Sequence, residues 1–466
     1  MKCWVGIDLG STTTKAVVLD ESGGVLGRGI TNSRNNYDAA CAIARSEAFI
    51  DARFTLVRRG LEEGNGAPSG PVDLPKGLVA IGRPPSREPF TSRLERAFRL
   101  EQHLTQLGQL REESLAEAEQ WDTRPGGGGL TAAVSGIFDR MEEQARSLFA
   151  RGARKGSDFF RDISGSQYMK LSEEAARETS FPFETLAGIF DKSILKVENR
   201  VLDLSFDSHI GPAVARALEE EGGSDGGDRK LMRGKVDAAA AIPLDAASSV
   251  GTGYGRARLP FPKERIRSEI LCHGLGAHTL FPGTATVLDI GGQDTKAIQV
   301  DEHGIVTSFQ MNDRCAAGCG RYLGYIADEM NLGLHELGPL AGTSNAPVKI
   351  SSTCTVFAGA EIRDRLSVGQ KREDILAGLH RAIILRAMSL LARSGGIRDQ
   401  FTFTGGVAKN NAAVAALDLL VRENYGELTL NISSDSIYTG ALGAALFATR
   451  SADDDAAENA GGGRAA

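Results

Sequence analysis

The stretch Asp8–Glu21 reads DLGSTTTKAVVLDE, and far along the chain the stretch Asp289–Glu302 reads DIGGQDTKAIQVDE. The two align without a gap and share an aspartate, a glycine, a Thr-Lys-Ala run and a closing Asp-Glu pair. Each copy is an apolar strand, a glycine-containing turn, a second alternating strand and a further turn, which is typical of a β-meander. Because the copies lie far apart, they predict two duplicated domains facing each other across a cleft, not a solenoid.

The turns of these hairpins carry the residue types that phosphate groups require. Phosphoryl transfer needs backbone and hydroxyl donors around the phosphate oxygens, a divalent cation and a positioned water. Glycine lets the backbone approach a ligand closely, and serine and threonine add hydroxyl and amide donors. The candidate phosphate-binding residues are therefore Gly10, Ser11, Thr12, Thr13, Gly291 and Gly292.

Acidic and amide side chains beside the turns suit the catalytic part of the site. Asp8 and Asp289, one from each copy, suit a Mg²⁺ ion that is held through its own waters. Either Gln293 or Asp294 can orient the attacking water, and the sequence does not choose between them. Gln293 is the candidate that we carry forward.

A bland explanation competes with the phosphate-binding one. A single Asp-x-Gly hairpin is explained by turn chemistry alone, whereas two copies in register favour a shared ligand. No GxxxxGK[ST] motif occurs, so a P-loop enzyme is disfavoured. Lys15 and Lys296 fall on the second strand of each hairpin, where we expect solvated lysines. We expect no metal site from the histidines, with His273 and His278 in a loop.

A third glycine turn completes the pattern. Residues 401–411 read FTFTGGVAKNN, an apolar strand that enters a helix through Gly405 and Gly406. Two phosphate hairpins and such a turn resemble the actin, Hsp70 and sugar-kinase superfamily, in which the third turn holds the adenosine of ATP. The resemblance implies an α/β fold of duplicated actin/Hsp70-like, ribonuclease H-like ATPase domains around a nucleotide cleft, with a helical insertion.

The repeat and the composition divide the chain into five parts. We expect residues 1–61 to start domain I, 236–285 to complete it, and 286–448 to form domain II with two cysteine segments. Residues 62–235 read as a largely helical insertion with glycine-rich joints. The tail, 449–466, has too few apolar residues to pack and is expected to be disordered. Within domain II, an apolar stripe over 374–393 predicts a core helix.

Two cysteine segments follow the second repeat. Residues 312–323 read NDRCAAGCGRYL and residues 350–358 read ISSTCTVFA, each ahead of a predicted helix at 321–330 or 356–366. Helix N-termini favour thiolates and a negatively charged cluster, which suits Cys315 and Cys354 as iron–sulfur ligands. A [4Fe–4S] cluster takes four cysteines, so a second subunit has to supply the others. Cys319 is either a third ligand or a bystander.

These segments together resemble the BadF/BadG/BcrA/BcrD ATPase family, which comprises 2-hydroxyacyl-CoA dehydratase activators and the ATP-binding subunits of benzoyl-CoA reductase. The resemblance covers residues 1 to about 60 and about 235 to 448, including 250–256 and 438–446. It implies ATP, Mg²⁺ and a [4Fe–4S] cluster that Cys315 and Cys354 share with a homologous ATPase subunit. Cys319 stands where many activators have threonine.

The resemblance also implies partners and a reaction. Reduced ferredoxin supplies an electron, and iron–sulfur subunits hold the acyl-CoA substrate. Dehydratase activators are compact homodimers, whereas the larger, BcrA/BadF-type subunit of benzoyl-CoA reductase carries extra sequence where this chain has its insertion. We therefore expect an ATPase subunit of benzoyl-CoA reductase. The alternatives are a homodimeric dehydratase activator, a sugar or small-acid kinase, which would lack iron, and an actin-like filament or chaperone-type module.

Composition narrows the remaining classes. The chain has 466 residues, 41% of them hydrophobic and 24% charged, which is typical of a globular protein. A net charge of -7 and a pI near 5.7 give no basic footprint for nucleic acid or an anionic membrane. An acidic residue follows the first short apolar stretch, so we expect no secretory signal. We expect a cytoplasmic protein with neither nucleic-acid nor membrane partners.

Overall fold

The structure, a computed structural model, describes residues 1–33, 36–62, 88–123, 128–153, 157, 159–200, 202–220, 226–313, 319–350 and 355–461. Cys315 and Cys354 lie outside the described residues. The chain divides into two compact units. Of the described residues, 1–51 and 243–461 form the first unit and 52–242 form the second.

The elements follow one another along the chain as nine strands and fourteen α-helices in the described ranges. The strands are β1 (Lys2–Leu9), β2 (Thr13–Leu19), β3 (Val25–Asn32), β4 (Asp245–Thr252), β5 (Thr286–Ile290), β6 (Thr295–Val300), β7 (Val306–Asn312), β8 (Phe401–Thr404) and β9 (Leu430–Asn431). The helices are α1 (Tyr37–Glu62), α2 (Phe90–Asp122), α3 (Leu130–Leu148), α4 (Phe160–Glu178), α5 (Phe183–Asn199), α6 (Phe206–Glu219), α7 (Gly226–Ala241), α8 (Glu269–Leu280), α9 (Gly320–Glu329), α10 (Leu334–Ala341), α11 (Thr355–Ser367), α12 (Arg372–Ser394), α13 (Asn411–Tyr425) and α14 (Thr439–Gly461).

The first unit holds two sheets of the same design. One has the order β3-β2-β1-β4 and the other the order β7-β6-β5-β8-β9. In each sheet an antiparallel meander presents its first strand to a parallel neighbour, β4 beside β1 and β8 beside β5. The two meanders predicted from the sequence repeat are therefore present.

The repeat extends to individual hydrogen bonds. Asp20 Oδ1 accepts the backbone N–H groups two and four residues later, both at 3.0 Å, and Asp301 Oδ1 does the same at 2.9 Å. Each turn contains a glycine with positive φ, Gly23 at 79° and Gly304 at 75°. An irregularity in strand pairing recurs ten residues after the hairpin aspartate, at Val18/Leu19 and Gln299/Val300. The identical residues of the two copies thus fix the same local geometry.

Helices cover both sheets of the first unit. On the first sheet, Val17 and Leu19 pack against α14. On the second sheet, alternate residues face opposite sides, as the two-residue period of a strand requires. Leu288 and Ile290 join a core with α9 to α13, whereas Val287 packs against α8. Asp289 therefore projects toward the α8 side.

The predicted core helix is confirmed as α12. The apolar positions of its predicted stripe, from Ile375 to Leu391, are buried in the core of the second sheet. The helix stops at Gly395, which has a φ of 123°, and the Gly396 N–H bonds to the Leu391 carbonyl oxygen. Of the helices that the structure describes, α12 alone is long and apolar enough to cross a bilayer, but 61% of the relevant window is buried within the protein.

The second unit is helical in every part that the structure describes. Its core places Tyr168 between Phe138 and Phe190, with ring centroids 5.6 and 5.0 Å apart. The expected insertion, 62–235, lies within this unit, which also takes in the end of α1 because Phe54 packs edge-on against Phe98 at 5.2 Å.

Two expectations need correction. His273 and His278, expected in a loop, lie in α8. The tail expected to be disordered from residue 449 continues as helix α14 to Gly461. Alanine has the highest helix propensity, so an alanine-rich continuation of an existing helix needs no apolar face to propagate.

Candidate active site

The first hairpin turn, Gly10 to Thr12, joins β1 to β2 and is tied to the end of β3. Ser33 Oγ donates to the Gly10 carbonyl oxygen at 2.6 Å, and the Ser33 N–H donates to the Thr12 carbonyl oxygen at 2.8 Å. Since the carbonyl groups are used inside the fold, the backbone N–H groups and hydroxyls of the turn remain the groups suited to a ligand. Thr12 is exposed, and Ser11 and Thr13 are half-buried.

The second hairpin turn, Gly291 to Asp294, faces the first. A Cβ atom placed on Gly292 would lie 2.5 Å from Thr12 Oγ1, so only glycine allows this approach of the two turns. The structure therefore brings together the phosphate candidates predicted from both copies of the repeat. Gln293 is half-buried on this turn, and Asp294 is buried.

A buried ion cluster lies under the second turn. Lys296 is 2% exposed, and its Nζ lies 2.8 Å from Asp294 Oδ1, 3.3 Å from Asp289 Oδ2 and 3.8 Å from Glu269 Oε2. The expectation of a solvated lysine is wrong at this position. The reason is α8, which covers the sheet face that carries Asp289 and contributes Glu269. Lys15, the repeat counterpart of Lys296, is half-buried.

The cluster fixes the charge of its members. Burial alone would raise the pKa of Asp289, but His273, Lys296 and the Thr404 hydroxyl, which donates at 2.8 Å, outweigh burial and lower it. Burial would lower the pKa of Lys296, but the carboxylates around it raise that pKa instead. Burial raises the pKa of Glu269. The second turn thus rests on an ionised aspartate that is paired with an ionised lysine.

His273 lies between the two hairpin aspartates. Its Nδ1 is 3.5 Å from Asp289 Oδ1 and 3.1 Å from Thr439 Oγ1. A Cβ atom on Gly440, the second residue of α14, would lie 3.0 Å from His273 Nε2 and 2.7 Å from Asp8 Oδ2. Asp8 and Asp289 are therefore both buried around one imidazole, although they come from different sheets. No signal in the sequence separated this histidine from the others.

The third turn lies against the end of β5. Gly405 has a φ of 87°, and a Cβ atom there would lie 2.3 Å from the Ile290 carbonyl oxygen. Gly406 is exposed and opens a short 3-10 helix, Gly406–Lys409, that leads to α13. The turn predicted for adenosine thus borders the second phosphate turn.

The segment 250–256 wraps the end of β1. The Gly255 N–H donates to the Leu9 carbonyl oxygen at 2.9 Å, and Arg256 Nη1 lies 3.2 Å from the Gly253 oxygen and 3.3 Å from Glu269 Oε1. Glu269 is shared between Arg256 and Lys296, so charged side chains connect the first sheet to the second.

The helix α9 begins on the second phosphate turn. The Gly320 N–H donates to the Gly291 carbonyl oxygen at 2.8 Å, and the Arg321 N–H donates to the Gly292 carbonyl oxygen at 2.7 Å. Cys319, directly before this helix, is fully buried. The predicted helices after the two cysteine segments are confirmed as α9 and α11, and α11 begins at Thr355, one residue after Cys354.

A direct metal site is not evident in the described part of the chain. No group of three or more His, Cys, Asp or Glu side chains there is arranged to hold a metal ion. Mg²⁺ in nucleotide sites keeps several waters and binds phosphate oxygens with only one or two carboxylates, so Asp8 and Asp289 fit such an ion.

Duplicated meanders with facing glycine turns, buried aspartates and a third glycine turn define an actin- and Hsp70-type ATPase fold. The chain belongs to the BadF/BadG/BcrA/BcrD ATPase family, whose model matches residues 5–448. A crystal structure of (R)-2-hydroxyglutaryl-CoA dehydratase component A from Acidaminococcus fermentans superposes with a TM-score of 0.52 at 22% identity, over 97% of this chain and 100% of that one, which supports the fold.

Relatives with assigned names fall into two groups. The (R)-2-hydroxyglutaryl-CoA dehydratase activating ATPase of Acidaminococcus fermentans is 41% identical over 239 residues, which are 51% of this chain and 89% of the relative. One benzoyl-CoA reductase subunit of Thauera aromatica is 35% identical over 176 residues, 38% of this chain and 62% of the relative. About half of this chain thus has no counterpart in the activating ATPase.

Proposed function

We propose that this chain is an ATP-hydrolysing electron activator for an enzyme that acts on CoA esters. The observation that carries the proposal is the meeting of the two hairpin turns above a pair of buried aspartates, in a chain of this ATPase family. Facing backbone donors and flanking carboxylates are the arrangement that a magnesium nucleotide requires.

Each part of the site has a role in this proposal. The turn residues Gly10, Ser11, Thr12, Thr13, Gly291 and Gly292 donate hydrogen bonds to the phosphates, and Gly405 and Gly406 receive the adenosine. Asp8 and Asp289 hold Mg²⁺ through its waters, and the ion supplies charge stabilisation on the phosphate oxygens. Lys296 keeps Asp289 ionised. Gln293 orients the attacking water, since Asp294 already accepts from Lys296.

Cys315 and Cys354 ligate one [4Fe–4S] cluster together with two cysteines of a homologous subunit. The start of α11 directly after Cys354 supports a thiolate at a helix N-terminus, and the burial of Cys319 supports a bystander. The two main-chain bonds from α9 to the second turn support coupling, because a turn that closes on phosphate and opens on its release moves the helix with it.

Benzoyl-CoA reductase is the specific enzyme that we propose. One of its subunits is a relative, and the helical second unit supplies the extra sequence that the family resemblance associates with the larger ATPase subunit. Reduced ferredoxin would load the cluster, and ATP hydrolysis would drive the electron to iron–sulfur subunits that hold benzoyl-CoA. The ring would be reduced on those partners, not on this chain.

A dehydratase activator is the second candidate. The named dehydratase activating ATPase is 41% identical, against 35% for the reductase subunit. In this case two copies of the chain would complete the cluster, and the partner would dehydrate a 2-hydroxyacyl-CoA.

Anaerobic purification with iron and sulfide analysis tests the shared class. We expect about four irons per pair of ATPase subunits and MgATP hydrolysis, with the iron lost in Cys315→Ser and Cys354→Ser. Cys41→Ala is the matched control, because Cys41 is buried in α1, far along the chain from both segments, and its loss should keep the iron. Colourless, iron-free wild-type protein that hydrolyses ATP only with a small hydroxyl substrate would instead identify a kinase.

Native mass and turnover separate the two candidates. A hetero-oligomer that consumes benzoyl-CoA with reduced ferredoxin and MgATP supports the reductase. A homodimer that activates dehydration of a 2-hydroxyacyl-CoA and leaves benzoyl-CoA unchanged rejects the reductase in favour of the activator.

A further inference from the structure

A buried histidine lies beneath the third glycine turn. His380 of α12 is 1% exposed; its Nδ1 is 2.7 Å from the Leu376 carbonyl oxygen and its Nε2 is 3.0 Å from Asn410 Nδ2. A carbonyl oxygen only accepts, so Nδ1 carries the ring hydrogen, and Nε2 accepts from the Asn410 amide. Burial lowers the pKa of His380, in agreement with this neutral tautomer.

Asn410 uses its whole side chain. Its Oδ1 accepts the N–H groups of Ala412 at 3.0 Å and Ala413 at 3.2 Å, which makes it the N-cap of α13. Its Nδ2 donates to His380, and its backbone N–H donates to the Val407 carbonyl oxygen at 2.9 Å. Reversing the amide would put an NH₂ group against the helix donors and an oxygen against Nε2, so the hydrogen bonds fix one orientation.

A third element closes the space around Asn410. A Cβ atom on Gly338 of α10 would lie 2.8 Å from Asn410 Oδ1, which leaves the amide no room to move away from His380. Helices α10, α12 and α13 therefore converge on the residue that directly follows the turn Gly405–Lys409. The glycines of that turn are held at one end by β5 and at the other by Asn410.

We propose that His380 is a positioning residue for nucleotide binding, which acts through Asn410 to hold the turn 405–409 in the shape that receives a purine nucleoside. The inference rests on the proposed function, in which this turn takes the adenosine. His380 itself does not reach the ligand. The phosphate turns belong to other strands, so the effect of His380 falls on the nucleoside end alone.

The histidine side of the pair is tested with an acceptor swap. His380→Gln keeps a side-chain oxygen that can accept from Asn410, whereas His380→Met fills similar volume without an acceptor. We expect the Met variant to bind MgADP and MgATP about tenfold more weakly, the size of one lost hydrogen bond, with kcat changed less than about twofold. The Gln variant should stay within about threefold of wild type. Equal affinities for the two variants would overturn the proposal.

The asparagine side tests the same bond without touching the core. Asn410→Asp keeps an oxygen to cap α13 but replaces the donor to His380 with a second acceptor. Asn411→Asp places the same new charge one residue later, on an exposed side chain, and serves as the matched control. We expect about tenfold weaker MgADP binding for the first and less than about twofold for the second. Indistinguishable affinities would reject the role of the bond.

Inorganic tripolyphosphate separates positioning from general damage. Since the phosphate turns are untouched, the His380→Met and Asn410→Asp variants should bind magnesium tripolyphosphate as wild type does. An equal loss for tripolyphosphate and ATP would show a structural defect and would overturn the proposal. Wild-type protein that binds neither compound would instead reject the proposed function itself.

Discussion

Lys296 is the positive centre of the second hairpin. It is almost fully buried and lies within 4 Å of carboxylate oxygens from Asp289, Asp294 and Glu269. Removing one partner from a buried ion cluster is far more costly than removing an exposed charge, because the remaining charges lose their compensation.

The two repeat lysines provide a matched pair of variants. Lys296→Met should lower the free energy of unfolding by about 3–5 kcal/mol, because three buried carboxyl groups lose their cation. Lys15→Met should cost less than about 1 kcal/mol, since Lys15 is half-buried and has no ion pair among the described residues. Chemical unfolding of the first unit, followed by circular dichroism, measures both. Equal losses would contradict the assignment of the charge centre to Lys296.

Asp203, ahead of α6, gives a pH dependence. The Ser208 hydroxyl and the Ser205 hydroxyl and N–H donate to its carboxylate and lower its pKa to about 2. Because the folded pKa lies below the ordinary value of about 3.9, the stabilisation is present above that value and is lost as pH falls through the folded pKa. Thermal midpoints of wild type and Asp203→Asn should differ at pH 6 and converge as pH falls toward 2. A difference that is independent of pH would contradict this assignment.

Residue types could be predicted at this scale, but their surroundings could not. The turn glycines and both aspartates were identified from the repeat, because each copy supports the interpretation of the other. Lys15 and Lys296 occupy the same repeat position, and only the packing of α8 over one sheet makes one of them buried. His273 was missed for the same reason, since its neighbours come from α14 and β5.

The helices α8 and α14 meet without side chains between them. A Cβ atom on Gly443 of α14 would lie 2.0 Å from the Cys272 carbonyl oxygen of α8. Helix α8 packs on the second sheet and α14 on the first, so the contact joins the two meanders.

Gly443→Ala should therefore destabilise the protein. Its methyl group meets backbone that cannot give way cheaply, and overpacking costs about 1–3 kcal/mol. Gly324→Ala in α9 is the control, because no atom lies within 4 Å of its added Cβ and alanine favours the helix by about 0.5–1 kcal/mol. Differential scanning calorimetry should show a lower midpoint for the first variant and an unchanged or higher one for the second. The reverse order would refute the close helix contact.

Elements with strong periodicity could be predicted well. The apolar stripe of α12 and the alternating strands of both meanders agree with the structure because one pattern determines both the element and its buried face. The end of α14 could not be predicted from apolar content, since a helix already started can continue on propensity alone.

Two compact units raise the question of whether the first needs the second. The activating ATPase relative matches 51% of this chain over 89% of its own length, so a family member exists without a segment of this size. Replacing residues 52–242 with a flexible linker of about ten residues should leave MgATP affinity within about threefold, because the site residues and their partners all lie in the first unit. Isothermal titration measures it, and loss of binding by a folded variant would show that the second unit takes part in the site.

The duplicated architecture could be predicted at the scale of the molecule because a repeat reports topology directly. The role of the helical second unit could not, since its helices carry no motif, and periodicity identifies a core without identifying a ligand.

The junction between the second phosphate turn and α9 consists of two amide–carbonyl pairs. Exchanging side chains at positions 291, 292, 320 or 321 leaves those four atoms in place, so an alanine scan would pass over this joint as though it carried no signal. Only chemistry that edits the chain itself, such as an ester linkage in place of the amide at position 321, would cut the connection while leaving every side chain intact.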